Sequence, residues 1–125
     1  LSTALDYSKF ATLILNNGSL HDKKILSSDV VQKIRNNSLS SDIASIGVKS
    51  FAQMTTKGMG HSLAGSVIVR PSKDFPSNIG DFGWGGMGSN YFWIDFRRRI
   101  VCVFMVQLVP SSAFPNRKEL KALMQ

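Results

Sequence analysis

The sequence is poor in the residues that support disulfide and metal scaffolds. Its 125 residues include one cysteine, Cys102, which cannot form an internal disulfide and offers no cysteine pair for a zinc or iron–sulfur site. Long apolar runs are also missing. The longest, from Ile100 to Val106, is far short of the roughly 20 residues that span a bilayer. We therefore expect no disulfide framework, no thiolate cluster and no membrane span.

Motifs that usually mark a catalytic centre are absent as well. No serine has a lysine three residues later, and neither a Gly-x-Ser-x-Gly turn nor a glycine-rich phosphate loop occurs. His21 and His61 have no partner at a metal-ligand spacing. Cys102 lies inside an apolar segment, which favours a buried, inert thiol. These observations predict no metal site and no cofactor.

Charge is unbalanced but scattered along the chain. Fifteen basic and eight acidic residues give a net charge of +7, which permits binding to nucleic acid or to an anionic lipid surface without requiring it. The basic residues fall in short clusters at 23–24, 97–99 and 117–118, the last together with Lys121, and neutral or apolar stretches separate them. We interpret these clusters as solvated turns and helix surfaces and expect no nucleic-acid partner.

Local patterns predict an α+β fold in one domain, residues 1–125, with an antiparallel sheet flanked by helices. Thr3, followed three residues later by Asp6, is typical of a helix N-terminal capping box, and Asn116 with Glu119 predicts a second one. Helices are predicted over 3–17, 28–36 and 116–124, and strands over 63–70, 82–86, 90–95 and 99–108.

The predicted strand from Ile100 to Val106 is apolar at both alternating sets of positions. A strand with one solvated face would alternate with polar residues, so this strand needs cover on both faces. Three short helices are thin cover for two faces of a sheet. We infer that part of the covering layer comes from the remainder of a longer protein or from a partner.

The most distinctive segment is rich in glycine and surrounds Trp84. Glycines occupy positions 83, 85, 86 and 88. Glycine weakens a strand and often marks the close approach of a ligand or of another backbone. Such a bare backbone can pair with an extended substrate or donate N–H groups to an oxyanion. The alternative, that the glycines only relieve packing under Trp84 or Trp93, stays open at this point.

Six blocks of sequence, in a fixed order, resemble the serine β-lactamase-like family. They are Leu-Ser-Thr-Ala-x-Asp-Tyr-x-x-Phe, Leu-Asn-Asn-Gly, Lys-Ile-Leu-Ser, Phe-Gly-Trp-Gly-Gly, Tyr-Phe-Trp-Ile-Asp and Val-Phe-Met-Val-Gln, at 1–10, 15–18, 24–27, 82–86, 91–95 and 103–107. The blocks are similar to the C-terminal third of class C-like serine β-lactamases, penicillin-binding proteins and family VIII carboxylesterases. This resemblance covers essentially the whole chain and implies part of the β-lactamase/transpeptidase-like fold.

The resemblance implies an active-site role for the glycine-rich segment. In the family, a third motif on a strand lines the substrate site, and Trp84-Gly85-Gly86 stands at that motif. By the same resemblance, Trp84, Gly85, Gly86 and Gly88 would bind substrate. The backbone N–H of Met87 would be one of two oxyanion-hole donors.

The family's other two motifs do not occur in these 125 residues. Ser-x-x-Lys, which supplies the nucleophile and its base, is missing, and so is Tyr-x-Asn, because Tyr7 is followed by Ser8-Lys9 and Tyr91 by Phe92-Trp93. The resemblance therefore implies the C-terminal portion of a serine hydrolase that acts on ester, amide or β-lactam carbonyls through an acyl-enzyme. Departure from Lys-Thr-Gly favours an ester- or peptide-like substrate, and the 125 residues alone should be inactive.

Two alternatives remain beside this hypothesis. One is a non-catalytic binding or regulatory member of the same fold. The other is a basic module that binds nucleic acid or anionic lipid. The residues leave the cellular location open, with a periplasmic or secreted protein compatible with the resemblance.

Overall fold

The first part of the chain is built from helices and short hairpins. The computed structural model describes residues 2–51 and 54–124. In chain order the elements are α1 (Ala4–Leu15), β1 (Ser19–Leu20), β2 (Lys23–Lys24), α2 (Ser28–Arg35), a 3-10 helix (Ile43–Ile46), β3 (Ser50–Phe51) and β4 (Met54–Thr55). Strands β1 and β2 pair with each other, as do β3 and β4, and both pairs are antiparallel.

A five-stranded antiparallel sheet organises the rest. Its strands are β5 (Met59–His61), β6 (Ser66–Ile68), β7 (Phe82–Gly85), β8 (Tyr91–Asp95) and β9 (Ile100–Phe104), and helix α3 (Asn116–Leu123) follows. The strands have the same order across the sheet as along the chain. The predicted α+β class, an antiparallel sheet flanked by helices, is confirmed.

Helix α1 begins at the predicted cap. The Thr3 hydroxyl accepts a hydrogen bond from the Asp6 backbone N–H at 3.1 Å and donates to the Asp6 carboxylate at 2.9 Å. The helix ends at Leu15, two residues before the predicted end, because Asn17 and Gly18 both have a positive φ. Gly18 then donates its N–H to the Leu13 carbonyl at 2.8 Å, which closes the helix end.

Alternation along β8 sends its side chains to two faces of the sheet. Phe92 and Ile94 pack on the face that α1 and α2 cover, which we call the α1 face. Tyr91 and Trp93 pack on the opposite face with Leu120 of α3, which we call the α3 face. The buried cluster of the α1 face is Ala11, Ile14, Val31, Val67, Phe82, Phe92 and Ile94. That of the α3 face is Met54, Met59, Ile68, Phe75, Tyr91 and Trp93.

Some predicted bounds differ from those of the structure. The strand predicted over 63–70 is β6 alone, because residues 62–65 form the turn of a hairpin with β5, where the Ser62 N–H donates to the Gly65 carbonyl at 2.8 Å. Strand β9 ends at Phe104, well before the predicted residue 108. From there the chain turns to meet the β7–β8 connection, with the Val106 N–H bound to the Asn90 side chain at 3.0 Å.

The second predicted capping box was wrong. The residue that precedes α3 is Pro115, and no side chain caps this helix. The Glu119 N–H donates to the Pro115 carbonyl at 3.0 Å, so the first turn begins one residue earlier than predicted. Asn116 is therefore inside the helix and cannot serve as its cap.

Strand β9 lies at the edge of the sheet. All five of its residues are half-buried. The sequence predicts that both faces of this strand are covered, and the described residues cover them only in part.

Among the described residues, no helix is both long and apolar enough to cross a membrane. The assignment of residues 1–125 to one domain of a larger protein stays a prediction.

Candidate active site

The glycine-rich segment occupies the end of β7 and the turn that follows it. Strand β7 pairs with β8 along all four of its residues, but with β6 only through Phe82 and Gly83. On the β6 side, Trp84 and Gly85 therefore extend past the last paired residue, Ser66. This part of β7 is an open strand edge inside an otherwise paired sheet.

The register decides which backbone groups face that open edge. The Gly86 N–H donates to the Asn90 carbonyl at 2.9 Å, so Gly86 and Trp84 direct their backbone groups toward β8. The backbone N–H and C=O of Gly85 then point the other way, where β6 has ended. No described residue pairs with either group of Gly85 on this side, so both are available to an extended ligand.

The backbone N–H of Met87 is also free. Within residues 2–51 and 54–124 it donates to no acceptor, and the Met87 side chain is 81% exposed. The turn is closed by its neighbours, since the Ser89 N–H donates to the Gly86 carbonyl at 3.2 Å. An exposed, unpaired N–H on a well-defined turn can stabilise negative charge on a ligand oxygen.

Close packing requires glycine at two of the four glycine positions in this segment and not at the other two. A Cβ at Gly83 would lie 3.0 Å from the Trp93 backbone, and one at Gly85 would lie 2.6 Å from the guanidinium carbon of Arg117. A Cβ at Gly86 or Gly88, by contrast, would make only ordinary van der Waals contacts, the nearest at 3.5 Å. Packing therefore explains Gly83 and Gly85, and it does not explain Gly86 and Gly88.

Trp84 is held at the open edge by two aromatic side chains. Its ring stacks on Phe51 with centroids 5.8 Å apart and 15° between planes, and it meets the edge of His61 at 4.9 Å and 88°. Such arrangements stabilise the ring beyond its burial. Trp84 keeps 37% of its surface exposed, and the two contacts fix its orientation at the open edge of β7.

Two cavities meet at Trp84. A cleft of about 610 Å³ extends along Trp84, Gly85 and Gly86 toward Tyr7 and Gln107. A smaller cavity of about 350 Å³ lies on the other side and is almost entirely apolar, with lining residues Leu39, Ile43, Ile46, Val48, Phe51, Thr56, Met59, His61 and Trp84. Met87 and Gly88 lie in the turn beyond the cleft lining, and the Gly88 carbonyl is already engaged by the Leu108 N–H at 3.1 Å.

Behind the glycine-rich turn, helix α3 contributes a buried arginine. Arg117 is 3% exposed, and its Nη2 donates to the Gly86 carbonyl at 2.6 Å and to the Asn90 carbonyl at 3.2 Å. Its Nε and Nη1 have no hydrogen-bond partner among the described residues. Burial lowers the pKa of Arg117, and the nearby Tyr91 acts in the opposite direction. The group stays a cation because guanidinium is so weakly acidic.

One turn further along α3, Lys121 forms a buried ion pair. Its Nζ lies 2.7 Å from Asp81 Oδ2, with 1% and 3% of the two side chains exposed. The ammonium also lies 5.1 Å from the centroid of the Trp93 ring. Burial lowers the pKa of Lys121, while the hydrogen bond to Asp81 raises it. This pair fastens α3 to the sheet beside β7.

Comparisons with known proteins bear on the fold. No protein-family model matches the chain. Protein Rv1367c and uncharacterized protein MT1414, from the H37Rv and CDC 1551 strains of Mycobacterium tuberculosis, are each 25% identical over 114 residues, which is 88% of this chain. The chain spans 28% of the length of each of these relatives.

Solved structures show the same architecture. Unliganded simvastatin synthase (LovD) from Aspergillus terreus superposes with a TM-score of 0.67 at 17% identity, over 91% of this chain and 30% of LovD. The LovD6 mutant gives the same TM-score over 94% and 31%. The chain has a β-lactamase-like α+β fold. The predicted fold is thereby confirmed, and the matched part of LovD is under a third of that enzyme.

Within this β-lactamase-like fold, the structure brings together most of the residues that the sequence singled out. Trp84, Gly85 and Gly86 share the cleft, and Met87 follows directly. The described residues contain no group of three or more potential metal ligands. Cys102 is half-buried rather than enclosed, and burial raises the pKa of its thiol, which favours the unreactive protonated form.

Sequence reasoning missed Arg117 and Lys121 as buried residues. They were interpreted as part of a solvated basic cluster, and that was wrong, because both lie under the sheet while Lys118 between them is exposed. Their spacing of four residues places them on one side of a helix, which was the available signal. His61 and Phe51 were missed as supports of Trp84, since no local pattern brings them to that ring.

Proposed function

We propose that this chain is the C-terminal part of a serine hydrolase that acts on ester or amide carbonyls through an acyl-enzyme. Trp84, Gly85 and Gly86 form the substrate wall along the cleft, Gly88 extends it into the turn beyond, and the Met87 N–H is one of the two oxyanion donors. The observation that carries the proposal is the unpaired Met87 N–H beside the open edge of β7. The nucleophilic serine and its base come from residues outside these 125.

The geometry supports one defined part of the reaction. When a serine hydroxyl attacks the substrate carbonyl, the carbonyl oxygen takes up negative charge and the serine proton passes to the base. The Met87 N–H donates to that oxygen, and collapse of the intermediate expels the alcohol or amine with a proton. Water then attacks the acyl-enzyme, releases the acid and restores the serine. No step needs a cofactor.

The open edge of β7 and the cleft along Trp84 are consistent with an extended, largely apolar substrate. The backbone groups of Gly85 can pair with a substrate carbonyl or amide as a further strand would. The ring of Trp84 offers an apolar wall in place of the cation and hydroxyl of Lys-Thr-Gly, which supports esters or peptide-like amides over β-lactams.

Substituting Met87 with proline tests the proposal. Proline removes the N–H and is well accepted at the second position of a turn, and Gly86 before it tolerates the restriction that proline imposes. In the intact protein that contains this chain, we expect M87P to lower kcat for a chromogenic ester by about 10²–10³. M87A keeps the N–H and should lose far less.

Two outcomes would contradict the proposal. An intact protein without esterase or amidase turnover would favour the non-catalytic alternative. Equal activity of M87P and M87A would remove the oxyanion role from this N–H. The isolated 125 residues should show no turnover above background.

A further inference from the structure

The carbonyl that Arg117 binds belongs to the same peptide group as the Met87 N–H. Arg117 Nη2 lies 2.6 Å from the Gly86 oxygen, and the Gly86 carbonyl and the Met87 N–H are joined by one planar amide. In a trans peptide these two groups point in opposite directions. A hydrogen bond from Arg117 to the Gly86 oxygen therefore helps to fix the direction of the Met87 N–H. It also draws electron density from the Met87 nitrogen toward that oxygen.

We propose that Arg117 is a positioning residue that orients and polarises the Gly86–Met87 peptide, so that its N–H is a stronger donor to the developing oxyanion. This inference rests on the proposed function. Arg117 does not touch the substrate and acts only through the peptide.

The packing around Arg117 is arranged for this contact. The guanidinium occupies the space where a Cβ at Gly85 would stand, 2.6 Å from the guanidinium carbon, so glycine at this position admits the arginine to the peptide. The same Nη2 reaches the Asn90 carbonyl at 3.2 Å, which ties both sides of the β7–β8 connection to α3. A charge-assisted bond of this kind is shorter and stronger than a neutral one.

Only Nη2 of the Arg117 guanidinium makes hydrogen bonds to described residues, and both go to the β7–β8 connection. Nε and Nη1 are buried without a partner among the described residues, so most of the donor capacity of the side chain is unused. Its aromatic neighbours are Tyr91 and Phe51, at 5.8 and 6.0 Å from ring centroid to guanidinium carbon. Because Arg117 is only 3% exposed, solvent screens its charge little, and its electrostatic effect on the two carbonyls that it binds is stronger than at the surface.

Kinetics of the intact protein test the proposal. Replacing Arg117 with glutamine removes the charge and the fork, and R117K keeps the charge with a single ammonium. We expect R117Q to lower kcat for a chromogenic ester about tenfold with KM changed less than about twofold, and R117K to recover part of that loss. Lys118→Gln is the matched control, because it removes the charge of an exposed residue on the same helix, and it should leave kcat unchanged.

A double-mutant cycle separates positioning from general damage. If Arg117 acts through the Met87 N–H, adding R117Q to M87P should cost no further kcat, because the donor is already gone. Additive losses would overturn the proposal, and so would full activity of R117Q in a protein where M87P is impaired. Unchanged activity in M87P itself would instead show that the proposed function failed.

A spectroscopic readout keeps the inference testable without turnover. With methionine labelled by ¹⁵N and the Met87 signal assigned by its loss in M87A, R117Q should shift the Met87 amide proton upfield, while Lys118→Gln leaves it near its native position. An unshifted signal in folded R117Q would overturn the inference whether or not the protein is an enzyme.

Discussion

The two faces of the central sheet are stabilised by different means. The α1 face buries an apolar cluster that includes Ile14, Val31 and Phe92. The α3 face buries Arg117 and Lys121 beside its aromatic residues, and it places the proposed catalytic turn directly against that charge. Apolar packing tolerates small shifts of a helix, whereas a hydrogen-bonded ion pair requires one position. The α1 face is therefore stabilised by apolar burial, whereas directional bonds on the α3 face also fix where helix α3 lies.

The largest effect should come from breaking the buried pair. Lys121→Met leaves the Asp81 carboxylate without its counter-ion at 3% exposure, and we expect a loss of about 3–5 kcal/mol in the free energy of unfolding of the intact protein, measured by urea denaturation. The double variant K121M/D81N removes both charges and keeps an oxygen for the Asn78 N–H. It should recover much of the loss. A single variant as stable as the wild type would show that the two faces do not differ in this way.

On the opposite face, truncation of a core side chain should cost somewhat less. Ile14 is fully buried against the sheet, so Ile14→Ala should lower the free energy of unfolding by about 3 kcal/mol through lost burial and a residual cavity. Leu5→Ala on the same helix is the control, because Leu5 is 68% exposed and should change stability by less than about 0.5 kcal/mol. Equal effects at both positions would contradict the assigned α1 face.

The smallest effect should come from an ion pair of which Arg70 alone is open to solvent, since Asp42 is 4% exposed. Asp42 accepts from the Gly58 N–H at 2.9 Å and pairs with Arg70, whose side chain is 62% exposed. The Gly58 N–H and then Arg70 lower the pKa of Asp42. The unfolded chain therefore binds the proton more readily, and the stabilisation is present above a pH of about 3.9 and lost as pH falls below it.

Urea denaturation between pH 3 and 6 checks this third prediction. Asp42→Asn has no charge to lose, so the decrease in its stability with falling pH should be shallower than that of the wild type. Parallel decreases would show that Asp42 contributes nothing to the acid sensitivity. A decrease larger than the cost of K121M would reverse the order proposed for buried and exposed pairs.

Local patterns predicted the parts of the fold that local physics controls. The cap formed by Thr3 and the apolar strands of the sheet depend on neighbours in sequence. The glycine-rich segment was likewise found from its composition, and the family resemblance assigned it a role. These features need no contact between distant parts of the chain.

Other features depended on distant contacts. The sequence could not show that β6 ends before Gly85, which leaves the edge open, because that follows from where the hairpin with β5 turns. It could not show that Phe51 and His61 support Trp84. Asn116 failed as a cap because the start of α3 was set by the carbonyl of Pro115.

The sequence by itself determined the fold class and the position of the glycine-rich strand, since each is expressed in short-range patterns of side-chain size and polarity, and the family resemblance added Met87 as a candidate donor. The tertiary structure alone decided that Arg117 and Lys121 are buried and that Arg117 reaches the peptide of that donor. A basic residue on a helix has the same local pattern whether it faces solvent or a sheet. Only the packing of α3 against the sheet distinguishes the two.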